Sequence, residues 1–122
     1  VFDDKEKGIT IQDQHENKMV TSSDGILIKD KSGNKIEMTS SGITIQSDKD
    51  ITIKGKNINE KASANISMKA TSNIEGKATS AVKMKGMNVE LKADMSAKLE
   101  GTMVETKASG IMTVKGSLVK IN

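Results

Sequence analysis

The apolar residues of the first third of the chain alternate with polar ones in short runs. GITIQ at 8–12, GILIK at 25–29 and GITIQ at 42–46 each place a glycine before an apolar-polar-apolar pattern. A period of two is typical of a strand that buries one face. Residues 8–24 align without gaps on residues 25–41, so the pattern predicts a 17-residue repeat over 1–47.

Each 17-residue unit contains a polar turn between two alternating runs. Asp13 aligns with Asp30, and Asn17 aligns with Asn34. The second unit carries KSGN at 31–34, a sequence that favours a hairpin or a corner. The unit is therefore predicted to fold as strand, turn and strand.

A different repeat runs from Asp48 to the end of the chain. Apolar pairs two positions apart recur every 7 to 8 residues, which predicts short half-buried strands over 48–122. The positions predicted to form the inward-facing core are Ile51, Ile53, Ile66, Met68, Val82, Met84, Val89, Leu91, Leu99 and Val114. Glycines between the strands are predicted to sit at bends, and these are Gly55, Gly76, Gly86, Gly101, Gly110 and Gly116.

Helix is the competing interpretation for residues 60–110, because Ala, Lys, Met and Glu are strong helix formers. An amphipathic helix needs apolar residues three and four positions apart. The observed spacing is two followed by five or six, with Gly and Ser-Asn interruptions. The spacing therefore favours strands and corners.

The composition favours an assembly of several chains over a single compact globule. The chain of 122 residues has one aromatic residue, Phe2, and 34% apolar residues. Large aromatic side chains usually fill the centre of a compact domain. Short strands that bury one face cannot close a core alone, whereas three chains wound together cover one another and remove sheet edges. The predicted fold class is all-β, an elongated, intertwined triple-stranded β-helix that forms a trimeric needle or prism.

The charge pattern disfavours nucleic acid as a partner. The net charge is +3, yet every basic residue is lysine and no arginine is present. Base recognition and single-strand binding rely on arginine forks and stacking aromatic side chains, which this chain lacks. Lysines interleaved with acids are typical of a solvated sheet face that resists edge-to-edge aggregation.

Candidate chemistry is sparse. His15 is the only histidine, and one ring falls short of the three or four donors of a metal site. The carboxylates considered as dyads or calcium ligands are Asp3, Asp4, Asp13, Asp30, Asp48 and Asp50. They recur with the repeat, which indicates turn chemistry, so no enzyme activity and no cofactor are predicted. Ions on a threefold axis stay an open alternative, and scattered threonines disfavour an ice-binding solenoid.

The order of these repeats carries a family resemblance. VFDDKEKGITIQD at 1–13, NKIEMTSSGITIQSDKDITIK at 34–54 and ASGIMTVKGSLVKIN at 108–122 resemble the C-terminal half of VgrG-type spike proteins of type VI secretion systems. The related needles of contractile phage tails have similar repeats. The opening VFDD lacks an initiating Met, which predicts that the chain is a fragment of a longer protein.

The resemblance implies a structural, non-enzymatic, membrane-piercing needle of a contractile injection machine. It implies a homotrimer that carries a PAAR-type tip protein and effectors, joins the tube protein through a missing N-terminal hub, and contacts the target membrane transiently. It implies assembly in the cytoplasm of the producing bacterium followed by delivery into the target cell. A phage tail spike or fibre and a trimeric adhesin stalk are the alternatives.

The C-terminal end is the predicted docking face for the tip partner. The repeat continues to Asn122 without a polar cap, so strand edges and apolar side chains are left uncovered. The predicted docking residues are Lys115, Gly116, Ser117, Leu118, Val119, Lys120, Ile121 and Asn122.

Overall fold

A computed structural model describes the backbone of Phe2–Asp3 and residues 7–122. Within these residues the protein is all-β and contains no helix, so the all-β prediction is confirmed and the helical alternative for 60–110 is wrong. Asp4 lies outside the described residues. The strands are β1 Phe2–Asp3, β2 Gly8–Gln12, β3 Lys18–Ser22, β4 Gly25–Lys29, β5 Lys35–Thr39 and β6 Gly42–Gln46.

The strands form one antiparallel meander in the order β1-β2-β3-β4-β5-β6. Every neighbour in sequence is a neighbour in space, which is the simplest way to join antiparallel strands. Ile28 of β4 pairs with Met19 of β3 and Ile36 of β5. Because the pairing is in register across the sheet, the alternation of the sequence becomes two chemically different faces.

Two turns with the same side-chain hydrogen bonds join β2 to β3 and β4 to β5. In the first, Asp13 Oδ1 accepts from the backbone N–H of His15 at 2.8 Å and of Asn17 at 3.0 Å, and Oδ2 accepts from Asn17 Nδ2 at 2.8 Å. In the second, Asp30 makes the same three contacts with Ser32 and Asn34 at 2.8, 3.0 and 2.7 Å. We call these the Asp–Asn turns. A side chain that accepts local backbone N–H groups holds a turn that would otherwise leave them to water.

The connections from β3 to β4 and from β5 to β6 are tight turns that end on glycine. The N–H of Asp24 donates to Ser22 Oγ at 3.2 Å, and Gly25 has φ of 135°. A Cβ on Gly25 would lie 1.9 Å from the carbonyl oxygen of Met38. Only glycine fits this position, since both the backbone conformation and the close approach of β5 exclude a side chain.

The meander ends where the Asp–Asn pair is lost from the repeat. The third copy has Ser47 and Ile51 at the positions of Asp30 and Asn34. Ser47 Oγ accepts from the N–H of Lys49 at 3.0 Å and donates to Asn34 Oδ1 at 2.5 Å. Without the second carboxylate oxygen and the asparagine, the turn that would return the chain along β6 does not form.

The backbone of residues 48–122 bends at regular intervals. The bends lie at 48–49, 56, 63–64, 71–72, 79–80, 87, 94–95, 102–103, 109–110 and 117–118, seven or eight residues apart. No paired strand is present in this part of the single chain. Gly55, Gly86, Gly101 and Gly116 directly precede bends, and Gly110 lies in one. The predicted bend at Gly76 is wrong, because Gly76 lies between the bends at 71–72 and 79–80.

No side chain of the described residues is buried, so the isolated chain has no core. Its accessible surface is 13220 Å², whereas a folded monomer of 13.1 kDa exposes about 6,400 Å². By packing, the chain divides into two units at Ser67/Met68. The boundary predicted between 47 and 48 follows the change of repeat and stays a prediction.

Candidate functional site

The first candidate surface is one face of the sheet, which we call the apolar face. Strand pairing places ten side chains on it in two rows that run across β2 to β6. One row contains Ile9, Thr21, Ile26, Met38 and Ile43, and the other contains Ile11, Met19, Ile28, Ile36 and Ile45. Nine of these ten side chains are apolar, which is the composition of a packed interface and not of a solvated surface.

The apolar face is uncovered in the single chain. Ile28, at the middle of the sheet, is 38% exposed, and Ile43 on the edge strand is 70% exposed. An open groove at one end of the sheet is lined by Ile28, Ile36, Ile45 and Ile51 together with eight polar or charged residues, among them Asp30. Ile51 belongs to the predicted core of the second repeat, so this core position lies beside the apolar face.

The opposite face of the sheet has the apolar pair Val20 and Leu27 near its centre and a positively charged row beside it. Lys18, Lys29 and Lys35 stand directly next to one another across three strands. Lys35 Nζ lies 3.4 Å from Glu37 Oε2, the one ion pair of the described part of the sheet. Like charges directly opposite one another repel, so this face is suited to water and not to a second sheet.

The candidate ligand residues serve the turns. Hydrogen bonds from Asn17 lower the pKa of Asp13, and hydrogen bonds from Asn34 lower the pKa of Asp30. Both shifts arise because donors stabilise the charged carboxylate. His15 is exposed within the first Asp–Asn turn. Across the described residues no group of three or more His, Cys, Asp or Glu side chains is placed to hold a metal ion.

The bend repeat has an internal order that the 7-to-8-residue spacing missed. Lys61-Ala62, Lys77-Ala78, Lys92-Ala93 and Lys107-Ala108 recur 15 or 16 residues apart. Gly86, Gly101 and Gly116 follow the same 15-residue step. Two bends therefore make one structural unit, and alternate bends differ in chemistry.

This longer repeat sorts the apolar side chains into three ladders of equivalent positions. The first ladder is Ile51, Ile66, Val82, Ala97 and Met112; the second is Ile53, Met68, Met84, Leu99 and Val114; the third is Ile58, Ile74, Val89, Val104 and Val119. The third ladder is the least exposed, at 48–58%, and the second ladder is 68–78% exposed. Each ladder has the same kind of side chain in every unit, which is the pattern of a structural interface.

Not all of the predicted core residues belong to a ladder. Nine of the ten belong to a ladder, but Leu91 does not, because its equivalents are Glu60, Gly76, Thr106 and Ile121. Ile58, Ile74 and Val104 belong to the third ladder but are absent from the predicted core, and Val119 of the same ladder was assigned to the docking face. A 15-residue alignment would have found them. All ten predicted core residues are exposed in the single chain.

The predicted docking residues close the last unit. Gly116 precedes the bend at 117–118, and its Cβ position lies 3.7 Å from a methyl group of Val119. Leu118 is 84% exposed and Ile121 is 90% exposed, whereas Val119 belongs to the third ladder. The end therefore combines one ladder side chain with two that extend into solvent.

No helix in the described residues has the length and apolar character that a membrane crossing requires. Neither the models of known protein families nor the curated proteins gave a match to this sequence.

Proposed function

We propose that this chain is the needle of a contractile injection machine of the type VI secretion kind, and that it acts as a homotrimer without enzymatic activity. In this role it pierces a target membrane while carrying a tip protein and effectors. It assembles in the cytoplasm of the producing cell and is delivered outward on contraction.

The absence of any buried apolar side chain from the described residues carries the proposal. Three ladders and the apolar face together hold most of the Ile, Val, Leu and Met residues, and no segment of the described chain covers them. Burial of one such side chain contributes roughly 1.5–3 kcal/mol. That stabilisation becomes available only when other chains cover the ladders, and three copies around an axis do so symmetrically.

The backbone of residues 48–122 supports the same proposal. Extended segments between bends present N–H and C=O groups that have no backbone partner within the described chain. Strands from neighbouring copies would pair with them, as backbone groups in a folded interior require. A side-chain interior of Ile, Val and Met bounded by continuous strand pairing resists bending, which is the property that a piercing needle needs.

The test of the proposal is the mass and backbone state of the purified protein. We expect sedimentation equilibrium to give three chains and circular dichroism to give a β spectrum. A stable folded monomer would exclude a trimeric needle. The parent gene separates the alternatives: an upstream hub domain favours the spike, whereas a receptor-binding head or membrane anchor favours a fibre or adhesin stalk.

The tip function is assigned to residues 115–122. Leu118 and Ile121 project from the last unit, and three copies would place them around one end. We expect a PAAR-type cone protein to bind the intact trimer and to lose affinity for a trimer that lacks its last eight residues. Equal affinity for both would remove the docking role from this end.

A further inference from the structure

A row of lysine side chains crosses the face of the sheet that is opposite the apolar face. Lys29 of β4 pairs directly with Lys18 of β3 on one side and with Lys35 of β5 on the other. Gln12 and Gln46 continue the row on β2 and β6, and we call these five residues the lysine row. Neighbouring strands lie about 4.8 Å apart, so the backbones of the three lysines fall within about 10 Å.

Repulsion within the lysine row opposes folding of the sheet. Like charges directly opposite one another destabilise a strand pair, and Lys29 has such a neighbour on each side. Of the lysines whose exposure the structure describes, Lys18 and Lys35 alone are half-buried, so part of each side chain is covered by its neighbours. Lysines that protect a sheet from aggregation lie on its edge strands. These three lie on the inner strands β3, β4 and β5, and so edge protection does not explain them.

An open concavity lies over the lysine row. Its volume is about 480 Å³, and its lining includes Gln12 and the three lysines of the row. Lys31 adds a fourth cation, and the carboxylates in the lining are Glu16 and Asp30. Asp30 already accepts three hydrogen bonds within its turn, so the concavity keeps an excess of positive charge. One water molecule takes roughly 30 Å³, which leaves room here for a ligand with several phosphate groups.

We infer that the lysine row is a binding site for a ligand that carries two or more phosphate groups. A lysine ammonium is a compact charge with three donors, and it binds phosphate oxygens in many orientations. Three such groups side by side match several phosphates better than one, and bound anions would remove the repulsion within the row. The lining contains no arginine and no aromatic ring, so the site offers charge without recognition of a base. Free polyphosphate and the headgroup of a lipid with two phosphates share this chemistry.

The test compares two probes on the intact protein. Calorimetric titration with inorganic tripolyphosphate measures binding of a free ligand, and co-sedimentation with phosphatidylcholine vesicles, with and without cardiolipin, measures binding to lipid. The test variant is Lys18→Gln with Lys35→Gln. The matched control is Lys54→Gln with Lys56→Gln, which removes the same charge from two exposed lysines outside the sheet.

We expect the parent and the control to bind at least one probe, more weakly as the salt concentration rises. The test variant should bind at least about tenfold more weakly, because each lost ammonium removes charge-assisted hydrogen bonds. Binding of tripolyphosphate alone would identify a free ligand, and binding of cardiolipin vesicles would identify a membrane surface. Binding of neither probe, or equal weakening in the test variant and the control, would overturn the inference.

The Lys29→Gln variant gives a second measurement of opposite sign. Loss of this charge relieves the repulsion on both sides, so the denaturant midpoint of the ligand-free protein should rise. The further rise on addition of the bound probe should be smaller than in the parent. A ligand-free midpoint that is lower or unchanged would contradict the repulsion and overturn the inference. The proposed needle uses neither this face nor this ligand, so a trimer that binds no phosphate would leave the proposed function standing.

Discussion

The sheet of residues 8–46 and the bend repeat of residues 48–122 are made of similar side chains. They differ in whether their backbone hydrogen bonds form within the single chain. The sheet pairs its backbone within the chain and fixes its turns with Asp13 and Asp30. In the described bend repeat, the ion pairs are Lys98 with Glu100 at 2.5 Å and Glu105 with Lys107, both exposed. Exposed pairs of this kind contribute little.

The difference shows that the same alternating pattern can give either a paired sheet or a series of bends without paired strands. A hairpin turn brings the next strand back beside the previous one, so the backbone hydrogen bonds form within the same chain. A bend without a hairpin turn carries the chain onward, so no backbone ladder forms within the chain over 48–122. Turn chemistry, and not hydrophobic content, decides between the two.

The largest expected effect is on assembly of the bend repeat. Met84→Lys places a charge in the second ladder, and a trimer would bring three such charges together in a dry interior at high cost. We expect sedimentation equilibrium to show that the trimer is lost. Lys83→Met, at the adjacent position on the opposite face, is the matched control and should assemble like the parent. The reverse result would show that the faces are exchanged.

A substitution in the sheet should have the next largest effect, through a steric clash within the chain. Gly25→Ala forces a Cβ against the carbonyl oxygen of Met38 at a φ of 135°. We expect a loss of more than about 1 kcal/mol in the free energy of unfolding, measured by denaturant titration. Gly76→Ala is the comparison, because nothing lies within 4 Å of that Cβ position in the single chain. If Gly76→Ala prevents trimer formation, another copy approaches the chain there.

The Asp–Asn turns should contribute a smaller amount. Asp30→Ala removes three hydrogen bonds from the turn between β4 and β5. We expect a lower melting temperature and faster amide exchange at Asn34. Asp24→Ala is the control, since Asp24 lies in a tight turn where its backbone N–H, not its carboxylate, makes the described hydrogen bond. Equal effects of the two substitutions would contradict a special role for the Asp–Asn turn.

The smallest expected effect is on the dependence of stability on pH. The pKa values of Asp13 and Asp30 are lowered in the folded sheet by the hydrogen bonds from Asn17 and Asn34. Their contribution is therefore complete above the unfolded pKa of about 3.9 and is lost as the pH falls through the lower folded values. Denaturant midpoints at pH 7 and at about pH 2.5 should differ less in the Asp13→Asn, Asp30→Asn double variant than in the parent. An unchanged difference would contradict this assignment.

Much of the sheet was predictable from the sequence because its signals are local. The gapless alignment of 8–24 on 25–41 gives the strands, and Asp30 with Asn34 marks the turn. The bend at Gly76 was predicted wrongly because glycine also occurs in extended chain. Leu91 was assigned to the core from the two-residue spacing alone, and that assignment stays a prediction. Contacts between copies depend on distances that no local pattern specifies.

The shared hydrogen-bond pattern of the two Asp–Asn turns makes the sheet adjustable in length. Each 17-residue copy contributes two strands, one Asp–Asn turn and one tight turn, and the next copy begins again on the same face. Duplication of one copy in the gene would lengthen the meander by a hairpin while the apolar rows stay in phase. Loss or gain of a single residue within a strand would instead exchange the two faces beyond that point. Recombination in whole copies is thus a route by which the number of strands changes in evolution while each face of the sheet keeps its side chains.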